Sequence, residues 1–138
     1  MVWYLDTSAA VKLVVAEAET QDLEAWLGSL TEPVASCDLI RTELLRATGR
    51  GAPHAMTQAR AVLESIAILT VPTSTFERAG DLGPTALRSL DAIHLAAALE
   101  LGDDLSGLIT YDLLLADAAR LHGITVVAPG AHSPWLSG

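Results

Sequence analysis

Short runs of β-branched and apolar residues alternate with longer stretches in which apolar residues recur at helical spacing. The short runs predict five strands, because each is bounded by a proline, a glycine or an acidic residue. The predicted strands are 2–5, 34–37, 68–71, 108–111 and 124–127. The longer stretches predict helices near 8–16, 20–30, 38–48, 54–66, 73–81, 90–101 and 112–122.

This alternation is typical of βαβ units, in which the strands run parallel and helices cover both faces of the sheet. We therefore expect an α/β fold with a central parallel sheet of about five strands. The 138 residues suffice for one domain, with a turn-rich tail over 129–138. Ser89 is expected to cap the sixth helix, and Thr73 or Ser74 the fifth, because hydroxyl side chains satisfy free amides at helix starts.

The composition excludes several classes of protein. Apolar residues make up 51% of the chain and charged residues 18%, which is unlike a disordered chain. Cys37 is the one cysteine, which excludes a disulfide framework and a cysteine zinc site and favours a reducing, cytoplasmic setting. We expect no membrane span and no secretory signal, because no stretch reaches roughly 18 apolar residues and the start is not basic.

The chain is strongly acidic. It carries 8 Lys and Arg against 17 Asp and Glu, which gives a net charge of -9. Nonspecific binding to nucleic acid depends on basic side chains that neutralise phosphates, so a general nucleic-acid coat is excluded. A metal ion is the obvious local source of positive charge if the protein acts on nucleic acid.

Acidic side chains follow two of the predicted strands. Asp6 lies at the end of the first strand and Asp112 at the end of the fourth. Parallel strands end at one edge of the sheet, where open α/β folds bind their ligands. Asp91 lies in the first turn of the sixth predicted helix. It joins the other two if that helix begins at the same edge.

Glu43 falls on the apolar side of the third predicted helix. On a helical wheel it lies between Leu39 and Ala47, within the stripe that includes Ile40 and Leu44. A carboxylate on the buried side of a helix rarely lacks a partner. It lies about one turn from the helix start, so we expect it near the same edge of the sheet.

Each acid also has a purely structural interpretation. Asp6 and Asp112 are suitable N-caps, Asp91 suits the positive end of a helix dipole, and Glu43 can pair with Arg46 or with Arg50. Taken together, four carboxylates at one edge repel one another, and a divalent cation removes that repulsion. Oxygen ligands alone select a hard cation such as Mg²⁺ or Mn²⁺.

Four segments of the chain resemble PIN-domain ribonucleases, and more narrowly the VapC toxins of bacterial toxin–antitoxin pairs. These segments are YLDTSAAVKL at 4–13, RTELLRA at 41–47, LDAIHLAAAL at 90–99 and LITYDLLLADAARLHGITVVAP at 108–129. They span nearly the whole chain in the family's order. The resemblance implies a PIN-like three-layer α/β/α sandwich.

The resemblance also implies a site and its partners. Four residues match the family's catalytic, metal-binding acidic quartet: Asp6, Glu43, Asp91 and Asp112. The further candidate lining residues are Ser8, Thr110 and Arg41. Mg²⁺ or Mn²⁺, a structured RNA substrate, a VapB-like antitoxin and a homodimer are implied in the same way. Some relatives carry another polar residue soon after the fourth acid, where this chain has three leucines, so the role of Asp117 stays open.

Other polar residues near the acids have two interpretations. Arg41, Arg46 and Arg50 form either a small phosphate-binding patch or a solvated helix face. Lys12 is expected at the surface rather than over the site. His94 lies one turn after the third acid, and we expect a packed helix-face histidine rather than a general acid or base.

Two other functions compete with a metal-dependent endoribonuclease toxin. A signalling receiver domain requires an aspartate at the end of the middle strand, where residues 68–72 contain no acid. A noncatalytic PIN-like module that binds a basic protein partner has no need of crowded carboxylates. The sequence therefore favours the ribonuclease over both alternatives.

Overall fold

The computed structural model describes residues 1–132, so the end of the expected tail lies outside the described residues. The strands are β1 (Val2–Leu5), β2 (Val34–Cys37), β3 (Ala67–Leu69), β4 (Leu105–Ile109) and β5 (Val126–Val127). The helices are α1 (Thr7–Lys12), α2 (Thr20–Ser29), α3 (Leu39–Gly51), α4 (Met56–Ser65), α5 (Thr73–Asp81), α6 (Ser89–Glu100) and α7 (Leu113–Leu121). Short 3₁₀ turns occupy Pro53–Ala55 and Gly102–Asp104.

The five strands form one sheet in the order β3-β2-β1-β4-β5, and every neighbouring pair is parallel. The predicted parallel sheet is therefore confirmed. The chain adds strands on one side of β1 up to β3 and then crosses to β4 on its other side. The carboxyl ends of β1 and β4 thus form the point at which strand order reverses, where open α/β sheets bind ligands.

Alternating side chains on the central strands build two cores. Tyr4 and Leu108 face the layer that contains α6 and α7, whereas Leu5 and Ile109 face the layer that contains α1, α3 and α4. All four side chains are fully buried, as expected for parallel strands covered on both faces. The chain thus forms the three-layer sandwich that the resemblance implied.

Helix α6 is buried along half of its length. Six of its twelve residues are buried, and its alanines Ala92 and Ala96 pack against Ala79 of α5. Small residues on both helices allow this close approach. Among the described residues, none of the helices combines the length and the apolar character that crossing a membrane requires.

Strand β4 begins earlier than its sequence pattern predicts, at residue 105 instead of 108. Gly107 was expected to precede the strand but lies inside it, opposite Trp3 of β1. A Cβ atom at Gly107 would lie 2.6 Å from the Trp3 ring and 2.7 Å from the carbonyl oxygen of Thr125. The glycine is required by this close approach, which the sequence alone does not reveal.

The expected hydroxyl caps of two helices are wrong. The cap positions of α5 and α6 are Pro72 and Arg88, and neither side chain bonds to the helix amides. Thr73 and Ser89 are instead the first residues of these helices. Arg88 therefore stands at the start of α6 with its side chain available for other contacts.

Lys12 was expected at the surface, and that expectation is wrong. It is only 8% exposed, because its ammonium group pairs with Glu17 at 3.1 Å and with Glu19 at 2.9 Å. The same group lies 4.7 Å from the centre of the Tyr111 ring. These contacts satisfy the charge at the end of α1.

Candidate active site

The candidate site lies at the carboxyl ends of β1 and β4. Asp6 follows β1 directly, and its amide donates to the carbonyl oxygen of Ile109 at 3.2 Å. Asp112 follows β4 three residues after Ile109. The parallel register thus places both aspartates at the carboxyl edge of the sheet, as predicted from the sequence, and the strand order makes this the point of reversal.

Asp6 is held rigidly from three directions. Its Oδ1 accepts hydrogen bonds from the Ser8 hydroxyl at 2.8 Å and the Ala9 amide at 3.1 Å. Its Oδ2 accepts one from the Thr110 hydroxyl at 2.8 Å. Burial raises the pKa of this carboxyl to about 6, although the Ser8 and Thr110 hydrogen bonds oppose the rise. The carboxylate is fixed in position but short of a compensating positive charge.

Thr110 connects Asp6 to Asp112. Its hydroxyl oxygen accepts a hydrogen bond from the Asp112 amide at 3.1 Å while it donates to Asp6. Asp112 in turn caps α7, because its Oδ1 accepts from the Leu115 amide at 3.0 Å. The cap and site interpretations of Asp6 and Asp112 are therefore compatible, since each caps a helix and still faces the sheet edge.

Arg88 joins Asp91 to Asp112, a contact that the sequence reasoning missed. Its Nε donates to Asp91 Oδ2 at 3.0 Å, and one terminal nitrogen contacts Asp112 Oδ2. Asp91 therefore reaches the same edge as expected, because α6 begins there. Burial and the neighbouring charge of Asp112 raise the pKa of Asp91, and Arg88 opposes that rise.

Glu43 has partners different from those considered above. It pairs with neither Arg46 nor Arg50. Its Oε1 accepts a hydrogen bond from the Thr7 hydroxyl at 2.8 Å and lies 2.6 Å from His94 Nε2. Burial alone would raise the pKa of Glu43, but the hydrogen bond and charge of His94 hold it below its usual value.

His94 is buried, as expected for a packed helix-face histidine, yet it also contacts a candidate site residue. Because a carboxylate only accepts hydrogen bonds, His94 Nε2 must carry the proton shared with Glu43. Its Nδ1 lies 2.9 Å from the Tyr4 hydroxyl and 3.7 Å from Cys37 Sγ. The imidazole is thereby fixed between the sheet and α3, and it fixes one oxygen of Glu43.

The other candidate lining residues divide into two groups. Ser8 and Thr110 contact Asp6 directly. Arg41 instead pairs with Asp38 at 3.3 Å on the exposed face of α3, so its place in the site stays a prediction. Asp117 is exposed and pairs with Arg120 at 3.8 Å.

A cleft of about 390 Å³ opens beside the acids. Its lining residues are Glu43, Arg88, Ser89, Leu90 and Asp91. Within residues 1–132, no group of three or more acidic, histidine or cysteine side chains lies close enough together to hold a metal ion as the side chains stand. In this arrangement the positively charged guanidinium of Arg88 contacts two of the acids. The oxygen-rich donor set nevertheless suits a hard cation, because the buried Asp6 carboxylate and the raised pKa of Asp91 both favour added positive charge.

The chain is similar to known proteins over most of its length. Residues 3–121 match the family model of the PIN domain. The chain is 40% identical to ribonuclease VapC47 of Mycobacterium tuberculosis over 132 residues, which cover 93% of this chain and 97% of that protein.

Two solved structures share the fold. The sarcin-ricin loop cleaving toxin VapC20 of M. tuberculosis superposes with a TM-score of 0.74 at 18% identity, over 92% of this chain and 99% of that one. VapBC2 from Rickettsia felis, solved with a DNA fragment from its promoter, superposes with a TM-score of 0.67 at 14% identity, over 94% and 99%.

Proposed function

The chain belongs to the PIN-domain family as a VapC-type ribonuclease, and from that premise we propose a metal-dependent endoribonuclease that acts as the toxin of a toxin–antitoxin pair. The proposed catalytic and metal-binding residues are Asp6, Glu43, Asp91 and Asp112. The observation that carries the proposal is the linkage of three acids at the reversal of strand order, through Thr110 and Arg88.

The proposed cofactor is Mg²⁺ or Mn²⁺. Asp6, Asp91 and Asp112 would hold it through carboxylate oxygens, directly or through water. When bound, such an ion polarises a phosphoryl oxygen, acidifies a water molecule and stabilises the charge that develops on the leaving oxygen. The negative net charge of the chain makes this local positive charge necessary for binding RNA.

Neighbouring residues of the chain hold the Asp6 and Glu43 carboxylates in position. Ser8 and Thr110 fix both oxygens of Asp6, so this ligand needs little rearrangement to bind. Thr7 and His94 both form hydrogen bonds with Oε1 of Glu43. The second oxygen, Oε2, can then hold a ligand or an attacking water. These fixed oxygens would hold the ion and orient the attacking water for in-line hydrolysis of a bound phosphodiester.

Cleavage of RNA by the purified chain tests this function. With Mg²⁺ or Mn²⁺ we expect discrete cleavage of structured RNA, visible as mapped 5′ ends, and no cleavage in excess EDTA. Glu43→Gln should reduce the rate on the order of 100-fold. The exposed Glu64 of α4 provides the matched control, because Glu64→Gln removes the same charge away from the site.

Strong cleavage in excess chelator would contradict the metal mechanism. A chain that binds a basic peptide but cleaves no RNA under any metal condition would favour the noncatalytic module instead.

The proposed inhibitor is a VapB-like antitoxin that places an arginine against the acids. A guanidinium fits paired carboxylates, and Arg88 makes this contact within the chain itself. We also propose that the toxin forms a homodimer, as the family resemblance implies. Replacement of each antitoxin arginine in turn should identify one whose loss restores RNA cleavage. If inhibition survives every replacement, the antitoxin does not act through such an arginine.

A further inference from the structure

Arg88 occupies an unusual position among the arginines of the chain. Its guanidinium contacts Oδ2 of both Asp91, which lies in α6, and Asp112, which caps α7. The Arg88 side chain is 62% exposed, whereas those of Asp91 and Asp112 are only 17% and 20% exposed. The positive group therefore approaches from the solvent, and the two carboxylates lie beneath it.

A divalent cation bound at the site would draw on the carboxylate oxygens of these same two aspartates. A divalent ion bridging Asp91 and Asp112 would compete with the guanidinium for the same Oδ2 atoms. The guanidinium carries one positive charge and the ion carries two, so the ion satisfies the crowded carboxylates better. Because Arg88 is mostly exposed, its release from the pair costs little free energy.

Release would leave Arg88 at the rim of the site. It is the one basic residue among those that line the 390 Å³ cleft, which also contains Glu43 and Asp91. A guanidinium at this rim suits a phosphate group, to which it can donate two parallel hydrogen bonds. An acidic cleft has few other means of holding an RNA backbone.

We propose that Arg88 is a switching residue: it neutralises Asp91 and Asp112 while the site lacks metal, and metal loading transfers it to a phosphate of the RNA substrate. The proposal rests on the proposed function, because it assumes that these acids bind a divalent cation. It makes Arg88 a competitor of the metal in the free toxin and a substrate-positioning residue in the loaded toxin.

The first test measures metal binding without RNA. Thermal melting across a Mn²⁺ titration compares the wild type with Arg88→Gln and with Arg78→Gln, a matched control whose arginine pairs with Glu100 on an exposed surface. We expect Arg88→Gln to lower the half-saturating Mn²⁺ concentration by about threefold to tenfold relative to the control.

An equal half-saturating concentration in the two variants, or weaker Mn²⁺ binding by Arg88→Gln, would overturn the proposal. If Mn²⁺ shifts the melting temperature of neither the wild type nor the variants, the proposed metal site itself fails. The two failures are therefore distinguishable.

The second test measures RNA binding in Mn²⁺. Each substitution is placed in the Glu43→Gln background, so that substrate is not consumed. Arg88→Gln should weaken RNA binding severalfold, and Arg88→Lys should restore part of the loss, because lysine keeps the charge but not the paired donors. If Arg88→Gln binds RNA as tightly as Arg78→Gln, Arg88 does not hold the substrate and the transfer step is wrong.

Discussion

Replacement of Asp6 by asparagine should stabilise the metal-free protein at neutral pH, even though Asp6 is buried and caps a helix. Burial raises the pKa of this carboxyl from 3.8 to about 6. Since the folded pKa lies above the unfolded value, the charge destabilises the fold as pH rises beyond about 4, and the penalty is complete above about 6. A shift of about two pKa units corresponds to about 3 kcal/mol.

Asparagine is a suitable replacement because it preserves the local contacts. It is as good an N-cap as aspartate, so the hydrogen bond from the Ala9 amide is retained. Its amide group can also exchange hydrogen bonds with the hydroxyls of Ser8 and Thr110, which both donate and accept. The substitution therefore removes the charge and little else.

The assay is urea unfolding in EDTA from pH 4 to pH 8, followed by circular dichroism. We expect Asp6→Asn to exceed the wild type by up to about 3 kcal/mol above pH 7 and to match it near pH 4. Asp103→Asn, at an exposed turn, is the control for loss of one negative charge. With saturating Mn²⁺ the order should reverse, because only the wild type gains the binding free energy.

A stability difference that does not change with pH would refute this reasoning. The same holds if Asp6→Asn is the less stable protein in EDTA at neutral pH. Either result would show that the Asp6 carboxylate is already compensated by its hydrogen bonds, so that a cation has nothing to neutralise there.

Substitutions at three further positions test other parts of the account. Asp91→Asn should melt at or above the wild type in EDTA. At about 100 times the dissociation constant, Mn²⁺ should stabilise the wild type by about 2.7 kcal/mol, on the order of 10 °C, and Asp91→Asn should lose most of this gain. An unchanged shift would make Asp91 a structural residue. His94→Gln should retain more of kcat than His94→Ala, because glutamine still donates to Glu43; equal losses would mean that His94 only fills space. Gly107→Ala should lower the free energy of unfolding in urea by about 1–3 kcal/mol, because its Cβ would meet the Thr125 carbonyl; an unchanged value would contradict that contact.

The architecture was predictable because each strand and helix carries its own pattern. The runs at 2–5 and 34–37 are strands with the predicted bounds, and α5 occupies the predicted 73–81. The bounds of β4 were not predictable, since pairing with β1 extends the strand through Gly107. A glycine is a weak strand former in isolation, and the close approach of the Trp3 ring and the Thr125 carbonyl explains its place.

The location of the acids near the sheet edge was predictable, because it follows from strand ends and helix periodicity. The contacts between them were not. Arg88 stands three residues before Asp91, a spacing that allows a local ion pair, but its contact with Asp112 spans 24 residues and depends on the fold. The contact of Glu43 with His94 spans 51 residues and likewise appears only when α3 and α6 pack together.

Anomalous diffraction from crystals soaked in Mn²⁺ tests the central claim most directly, since it locates the cation among the four acids. We predict an anomalous peak within about 2.5 Å of carboxylate oxygens from Asp6, Asp91 and Asp112, with the guanidinium of Arg88 displaced from the pair. A saturated crystal with no peak at the ends of β1 and β4, and with Arg88 still bound to both aspartates, would contradict the account.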